Sequence, residues 1–125
     1  MKTVEITIAG KQVTLGYCYA TEISFKILSE SDIQPFMAEA MQALSENRMP
    51  DAKKCLCLIL AAAMAYSDSK NEQPAIDDKT LMYEAGPEEF NKAFGAVIGL
   101  WSEFYKLPKG EPQDKEDKKG RKRKN

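Results

Sequence analysis

The sequence predicts an α+β protein, mainly α-helical: an N-terminal two-stranded β-hairpin packed on a small bundle of about four to five helices, followed by a disordered C-terminal tail. Three observations carry this reading. Apolar and polar side chains alternate on either side of a glycine turn near the N-terminus. From about residue 21 to residue 105, apolar side chains recur at three- and four-residue intervals, and none of large size occurs after position 108. With 125 residues, 43% of them hydrophobic, there is material for one domain, placed at 1–107, with 108–125 as the tail.

The hairpin is expected over 3–19. Val4, Ile6 and Ile8 alternate through the first strand, and Val13, Leu15, Tyr17 and Tyr19 through the second, with Gly10-Lys11 as the turn between them. Period two places all seven side chains on one face. An isolated hairpin is marginal in water, so that face must pack on the rest of the chain.

Everything after the hairpin reads as helix. Thr21 is expected to cap a short first helix whose inward positions are Ile23, Ile27 and Leu28, with Phe25 reaching sideways. Ser31-Asp32 opens a second, with Ile33, Phe36, Met37, Ala40, Met41 and Leu44 as its apolar stripe; Pro35 falls in the first turn, and Asn47 to Met49 break it. Pro50 suits the first turn of a third helix, with Asp51 at its positive end. Leu56 to Met64 is apolar on nearly every side, which predicts a helix at the centre of the domain. Ser67 to Pro74 is polar and reads as a surface loop, and a short helix is expected from Asp78 to Tyr83. Pro87-Glu88-Glu89 starts the last helix, whose stripe is Phe90, Phe94, Val97, Ile98, Trp101, Phe104 and Tyr105 and which Pro108 stops. That helix is the expected partner of the hairpin's apolar face.

Several chemistries are excluded by composition. The chain has no histidine, which removes the commonest general base and metal ligand together with the Ser-His and Cys-His nucleophile pairs. Cys55 and Cys57 stand two apart in a helical segment and point in nearly opposite directions. Cys18 is the one other soft ligand, so four-coordinate zinc has no ligand set, and the thiols read as core residues. Asp77-Asp78 and Glu88-Glu89 stand at helix starts, where the macrodipole alone favours acids. No glycine-rich phosphate loop and no Gly-x-Ser-x-Gly element occurs. The expectation is a protein that is not an enzyme, with no catalytic residues, metal or cofactor. No secretory signal is visible. The longest apolar run, Cys55 to Tyr66, has 12 residues, against the roughly 20 of a bilayer span. With an odd number of cysteines, this predicts reduced thiols in a cytoplasm and no membrane partner.

The net charge of −1 hides a split. Residues 1–105 carry 9 basic and 15 acidic side chains, and residues 106–125 carry 9 basic and 4 acidic. Lys118, Lys119, Arg121, Lys122, Arg123 and Lys124 are therefore a candidate partner-binding arm. Such a cluster can neutralise phosphates. Without interleaved aromatics, and with an acidic body behind it, it disfavours nucleic acid as the partner. A small nucleic-acid-associated regulatory protein, with a dimerising helical body, is the alternative reading. Among the six methionines, Met37, Met41 and Met64 fall on apolar faces and read first as core, although thioethers also suit adaptable surfaces.

The hairpin Val4-Glu-Ile-Thr-Ile-Ala-Gly-Lys-Gln-Val-Thr-Leu15 leads through Tyr17-Cys-Tyr-Ala-Thr-Glu-Ile-Ser-Phe25 directly into the first helix. An Ala-rich buried helix, a late aromatic helix (Phe94 to Tyr105) and a charged tail complete the layout. Over residues 3–107 this pattern of soft hydrophobic motifs resembles the tail assembly chaperones of long-tailed bacteriophages and prophages. The resemblance implies a non-catalytic protein of the bacterial host cytoplasm, not expected in the mature virion. Such a protein binds and solubilises the tape measure protein and helps recruit tail tube protein; self-association into a homo-oligomer stays open. It further implies a longer form made by ribosomal frameshifting near Lys118-Lys119, which a coding sequence without a slippery run there would rule out.

Overall fold

The alternation at the N-terminus becomes β1 (Lys2–Ile8) and β2 (Lys11–Tyr17), which pair antiparallel from Lys2 opposite Tyr17 to Ile8 opposite Lys11. The structure is a computed structural model and describes residues 1–106. The loop is Ala9-Gly10, one position earlier than the expected Gly10-Lys11, because Lys11 already pairs with Ile8. Both loop residues have positive φ, 51° at Ala9 and 79° at Gly10. That is the requirement of a type I′ turn, whose twist matches the strands it joins. Glycine adopts this conformation without strain, whereas alanine carries a steric cost of about 1–2 kcal/mol. Ala9→Gly is therefore expected to raise the unfolding free energy by about 0.5–1 kcal/mol, the relieved strain less the extra unfolded-chain entropy of glycine. Urea denaturation would measure it.

Ile6, Ile8, Val13, Leu15 and Tyr17 are buried on the inner face, and Val4 is half-buried beside them. Tyr19 does not join them. The sheet ends at Tyr17, so Tyr19 opens helix α1 (Tyr19–Ser29) and is exposed. The inner face rests on two helices, α3 (Ala52–Ser69) and α5 (Pro87–Phe104), and not on the late helix alone.

Helix α1 departs most from the expected pattern. Its N-cap is Cys18, and Thr21 lies three residues inside. The Thr21 hydroxyl accepts from the Cys18 amide (3.1 Å) and donates to the Gly16 carbonyl (3.0 Å), which ties the helix start to the end of β2. This tie turns Thr21 and Phe25 inward, both fully buried, and leaves Ile23 and Ile27 in solvent; Leu28 is half-buried. The expected stripe of Ile23 and Ile27 is thus the outer face.

Helix α2 (Ile33–Ser45) follows an Asp32 N-cap and buries Ile33, Phe36, Met37, Ala40 and Ala43, while Met41 and Leu44 of the expected stripe are exposed. Helix α3 starts after Asp51, whose carboxylate accepts from the Lys54 amide (3.0 Å), so Pro50 precedes the cap instead of entering the first turn. As predicted, α3 is the centre. Leu58, Ile59 and Ala61 are fully buried, and the run of alanines leaves room for α1 on one side and the hairpin on the other. It continues to Ser69, three residues into the expected loop, with Ser67 buried and donating to the Ala63 carbonyl. Helix α4 (Asp78–Tyr83) stands where expected.

Helix α5 begins with Pro87 and ends at Phe104. Glu89 accepts from the Gly86 amide (3.4 Å) at its own helix start and from the Ala9 amide (3.0 Å) in the hairpin turn, joining the two. Phe94 faces Phe36 at 6.2 Å, and Phe36 stacks on Phe25 at 5.2 Å, so three aromatic rings link α5, α2 and α1. One hydrophobic cluster runs from the hairpin through all five helices. No helix among the described residues is long and apolar enough to cross a membrane. The expected tail at 108–125, its basic arm from Lys118 to Lys124 and the Pro108 stop lie outside the described residues.

Candidate functional site

The outer side of α3 carries two adjoining hollows. One, of about 540 Å³, lies between the start of α3, helix α4 and the start of α5; Met49, Pro50, Leu56, Met82 and Phe90 line it. The other, of about 740 Å³, continues along α3 past Leu60 and Met64 toward Ile76 and the Leu28 end of α1. They share Lys53, Leu56 and Met82, so they form one groove along the helix. Its walls are apolar except for Asn91 toward one end, Lys53 in the middle, and Gln73, Asp77 and Asp78 toward the other. Lys53 lies where the hollows meet, and a lysine stem there extends the apolar wall while its charge stays in water.

Three thioethers, Met49, Met64 and Met82, line this groove. Unbranched and polarizable, they can repack around differing apolar shapes. Of the three methionines singled out in the sequence, Met64 lines the groove, Met37 is in the core and Met41 is exposed on α2. Met49 and Met82 carried no sequence signal. The first lies between helices and the second on a six-residue helix, too short to show a stripe. The groove suits an apolar helical or extended segment, held by burial with a few charged contacts at its ends.

The other candidate groups have structural explanations. Asp77 caps α4, accepting from the Thr80 amide at 2.8 Å; the amide and hydroxyl of Thr80 hold its carboxyl below the usual carboxylate range. Asp78, Glu88 and Glu89 occupy first turns, as expected of capping acids. Cys55 and Cys57 are buried among the core side chains, and burial pushes the Cys55 thiol up to about 12 and raises that of Cys57. Among the described residues, no group of three or more Cys, Asp or Glu side chains is placed to hold an ion. A thiol reagent at neutral pH is expected to modify only the half-buried Cys18 of the native protein, and all three cysteines after denaturation. Mass spectrometry of the labelled chain would check this.

One polar cluster escaped sequence reasoning. Glu22 on α1 accepts through Oε2 from the hydroxyl of Tyr17 on β2 (2.9 Å) and from that of Tyr105 just past α5. Burial, with the Glu22 carboxylate second, raises the Tyr17 hydroxyl well above its ordinary range and pushes that of Tyr105 up to about 12. Both phenols therefore stay protonated as donors, and the cluster pins three elements together at one end of the molecule. The sequence pattern places Tyr105 on an apolar stripe, and only the fold brings it to a residue 83 positions away. No protein-family model, no curated protein and no solved structure matches the chain.

Proposed function

We propose that the protein is a non-catalytic assembly chaperone that receives an amphipathic helix of a client protein in the α3 groove. The observation that supports this most is the groove itself: apolar, methionine-lined and open along a buried central helix. Helix-in-groove recognition requires such a surface, with the client's apolar anchors three and four residues apart laid along it. The resemblance of the hairpin-and-helix layout to tail assembly chaperones supplies the client. It is the tape measure protein of a long-tailed phage or prophage, kept from aggregating in the bacterial cytoplasm while tail tube subunits are recruited. The nucleic-acid reading rests on the basic residues near the C-terminus and gains nothing from the groove.

Co-expression of the full chain with the long, coiled-coil-rich reading frame beside its gene tests the proposal. The expected result is a soluble complex that forms only when both are present and withstands high salt, as apolar association does and phosphate binding does not. Leu56→Glu places a charge at the junction of the two hollows and is expected to lower recovered complex about 10-fold or more, the equivalent of losing one buried leucine contact. Circular dichroism of the variant alone separates this from misfolding. A client that stays insoluble with the unaltered chain overturns the reading.

A further inference from the structure

We infer that the outward face of α1 is a self-association surface, on which a second copy of this chain packs antiparallel about a two-fold axis level with Ser24. Tyr19, Ile23 and Ile27 follow at four-residue intervals and are 65%, 62% and 71% exposed. They form a ridge on the side of α1 opposite Phe25, unlike the single apolar residues scattered over any protein surface. The ridge is distinct from the groove along α3, to which α1 contributes only Leu28. Beside it lies a shallow hollow bordered by Glu22, Lys26, Ile33 and Gln34.

The charges identify the occupant. Glu22 and Lys26 lie four residues apart on the same flank of the ridge. When two copies of a helix pack antiparallel about a two-fold axis, each flank meets the same flank of the other copy in reversed order. An axis level with Ser24 then sets Lys26 of each copy against Glu22 of the other, twice over. In a parallel pair the matching flanks point apart and no such pairing forms.

The same axis also orders the apolar ridge. Tyr19 stands five residues before Ser24, Ile23 one before and Ile27 three after, and in the second copy these positions are mirrored. Six side chains therefore alternate between the helices every two residues, about 3 Å apart along the axis. One symmetry element satisfies both the charge order and the apolar spacing. The contacts already made do not block it. Lys26 pairs with Asp32 at 3.0 Å, with both side chains exposed, and its ammonium has further donors. Glu22 receives both tyrosines on Oε2, so the lysine of the other copy approaches Oε1.

Sedimentation equilibrium of the full chain from micromolar to millimolar concentration is the test. The unaltered chain is expected to pass from monomer to dimer. Ile23→Asp sets two carboxylates beside the axis and is expected to remain monomeric with an unchanged circular dichroism spectrum. Under mild oxidation Ile23→Cys is expected to give a disulfide-linked dimer, since the two residues stand about 3 Å apart along the axis. Ile27→Cys, offset by about 9 Å, is expected not to; a parallel pair would link at both. The proposal is overturned by an unaltered chain that stays monomeric at millimolar concentration, by a dimer that survives Ile23→Asp, or by linkage at Ile27→Cys. Should Ile23→Asp lose the client while the unaltered chain is monomeric, the ridge binds something other than a second copy, which also overturns it. Failure of client capture alone bears on the groove and leaves this inference standing.

Discussion

Phe25→Ala is expected to lower the unfolding free energy by about 3–5 kcal/mol, the range for truncating a fully buried aromatic side chain. Phe25 is wholly shielded from solvent and stacks on Phe36, which in turn meets Phe94, so the cavity would open where α1, α2 and α5 converge. A domain of this size has on the order of 5–15 kcal/mol to lose, so the variant should unfold at a much lower urea concentration. Ile23→Ala, two residues away, is expected to change stability by no more than about 0.5 kcal/mol at low chain concentration, because Ile23 is exposed. Measuring both urea midpoints decides which face of α1 is the core face. Equal losses would mean that α1 is rotated from the orientation described.

Glu22→Ala is the second large effect. It removes the acceptor of two hydroxyls, and that of Tyr17 belongs to a residue almost entirely shielded from water. A buried donor left without a partner costs about 1–3 kcal/mol. Glu22→Gln keeps an oxygen acceptor and is expected to lose less. The same cluster fixes a pH dependence. Tyr17 and Tyr105 both have folded-state values above the ordinary 10.0, that of Tyr105 reaching about 12. A group raised in this sense stabilises the fold fully below its unfolded value and loses that contribution as pH climbs toward the folded one, because the unfolded chain releases its proton first. Cys55, raised by burial from 9.0 to about 12, acts in the same direction. Stability is therefore expected to fall between pH 9 and pH 12. Burial, the leading cause at both tyrosines, acts in Glu22→Ala as well, so the decline should persist there. A flat urea midpoint across that window would contradict the burial of these groups.

Several features were legible in the residues because their signals are local. Period two around a glycine specified the hairpin to within one residue at the turn and its inner face except for Tyr19, and the slip to Ala9-Gly10 arose because strand pairing, not composition, decides where a two-residue loop closes. Pro87 and the acids after it located the start of α5, and the unbroken apolar run of α3 announced its central place. The groove was not legible. Its lining comes from α3, α4 and α5, from the segments before and after α3, from the joint between α4 and α5, and from the last turn of α1. No single stretch of sequence carries a pattern for a surface assembled from so many.

Helix α1 shows where local reading ends. It has large apolar side chains on two sides, Tyr19, Ile23 and Ile27 on one and Phe25 and Leu28 on the other. Periodicity says only that each set shares a face. The spacing in the sequence reads Ile23, Ile27 and Leu28 as the inward stripe, whereas the hydrogen bond of Thr21 to the Gly16 carbonyl turns Phe25 inward and leaves the isoleucines outside. Likewise Glu22 reads as an ordinary surface acid until the fold brings Tyr17 and Tyr105 to it. By itself the sequence determined the elements, their order and the absence of histidine chemistry, since these follow from composition and from interactions between near neighbours. Only the tertiary structure decided which apolar faces are core, which are surface and where the groove lies, because burial is a property of what covers a face, and what covers it comes from elsewhere in the chain.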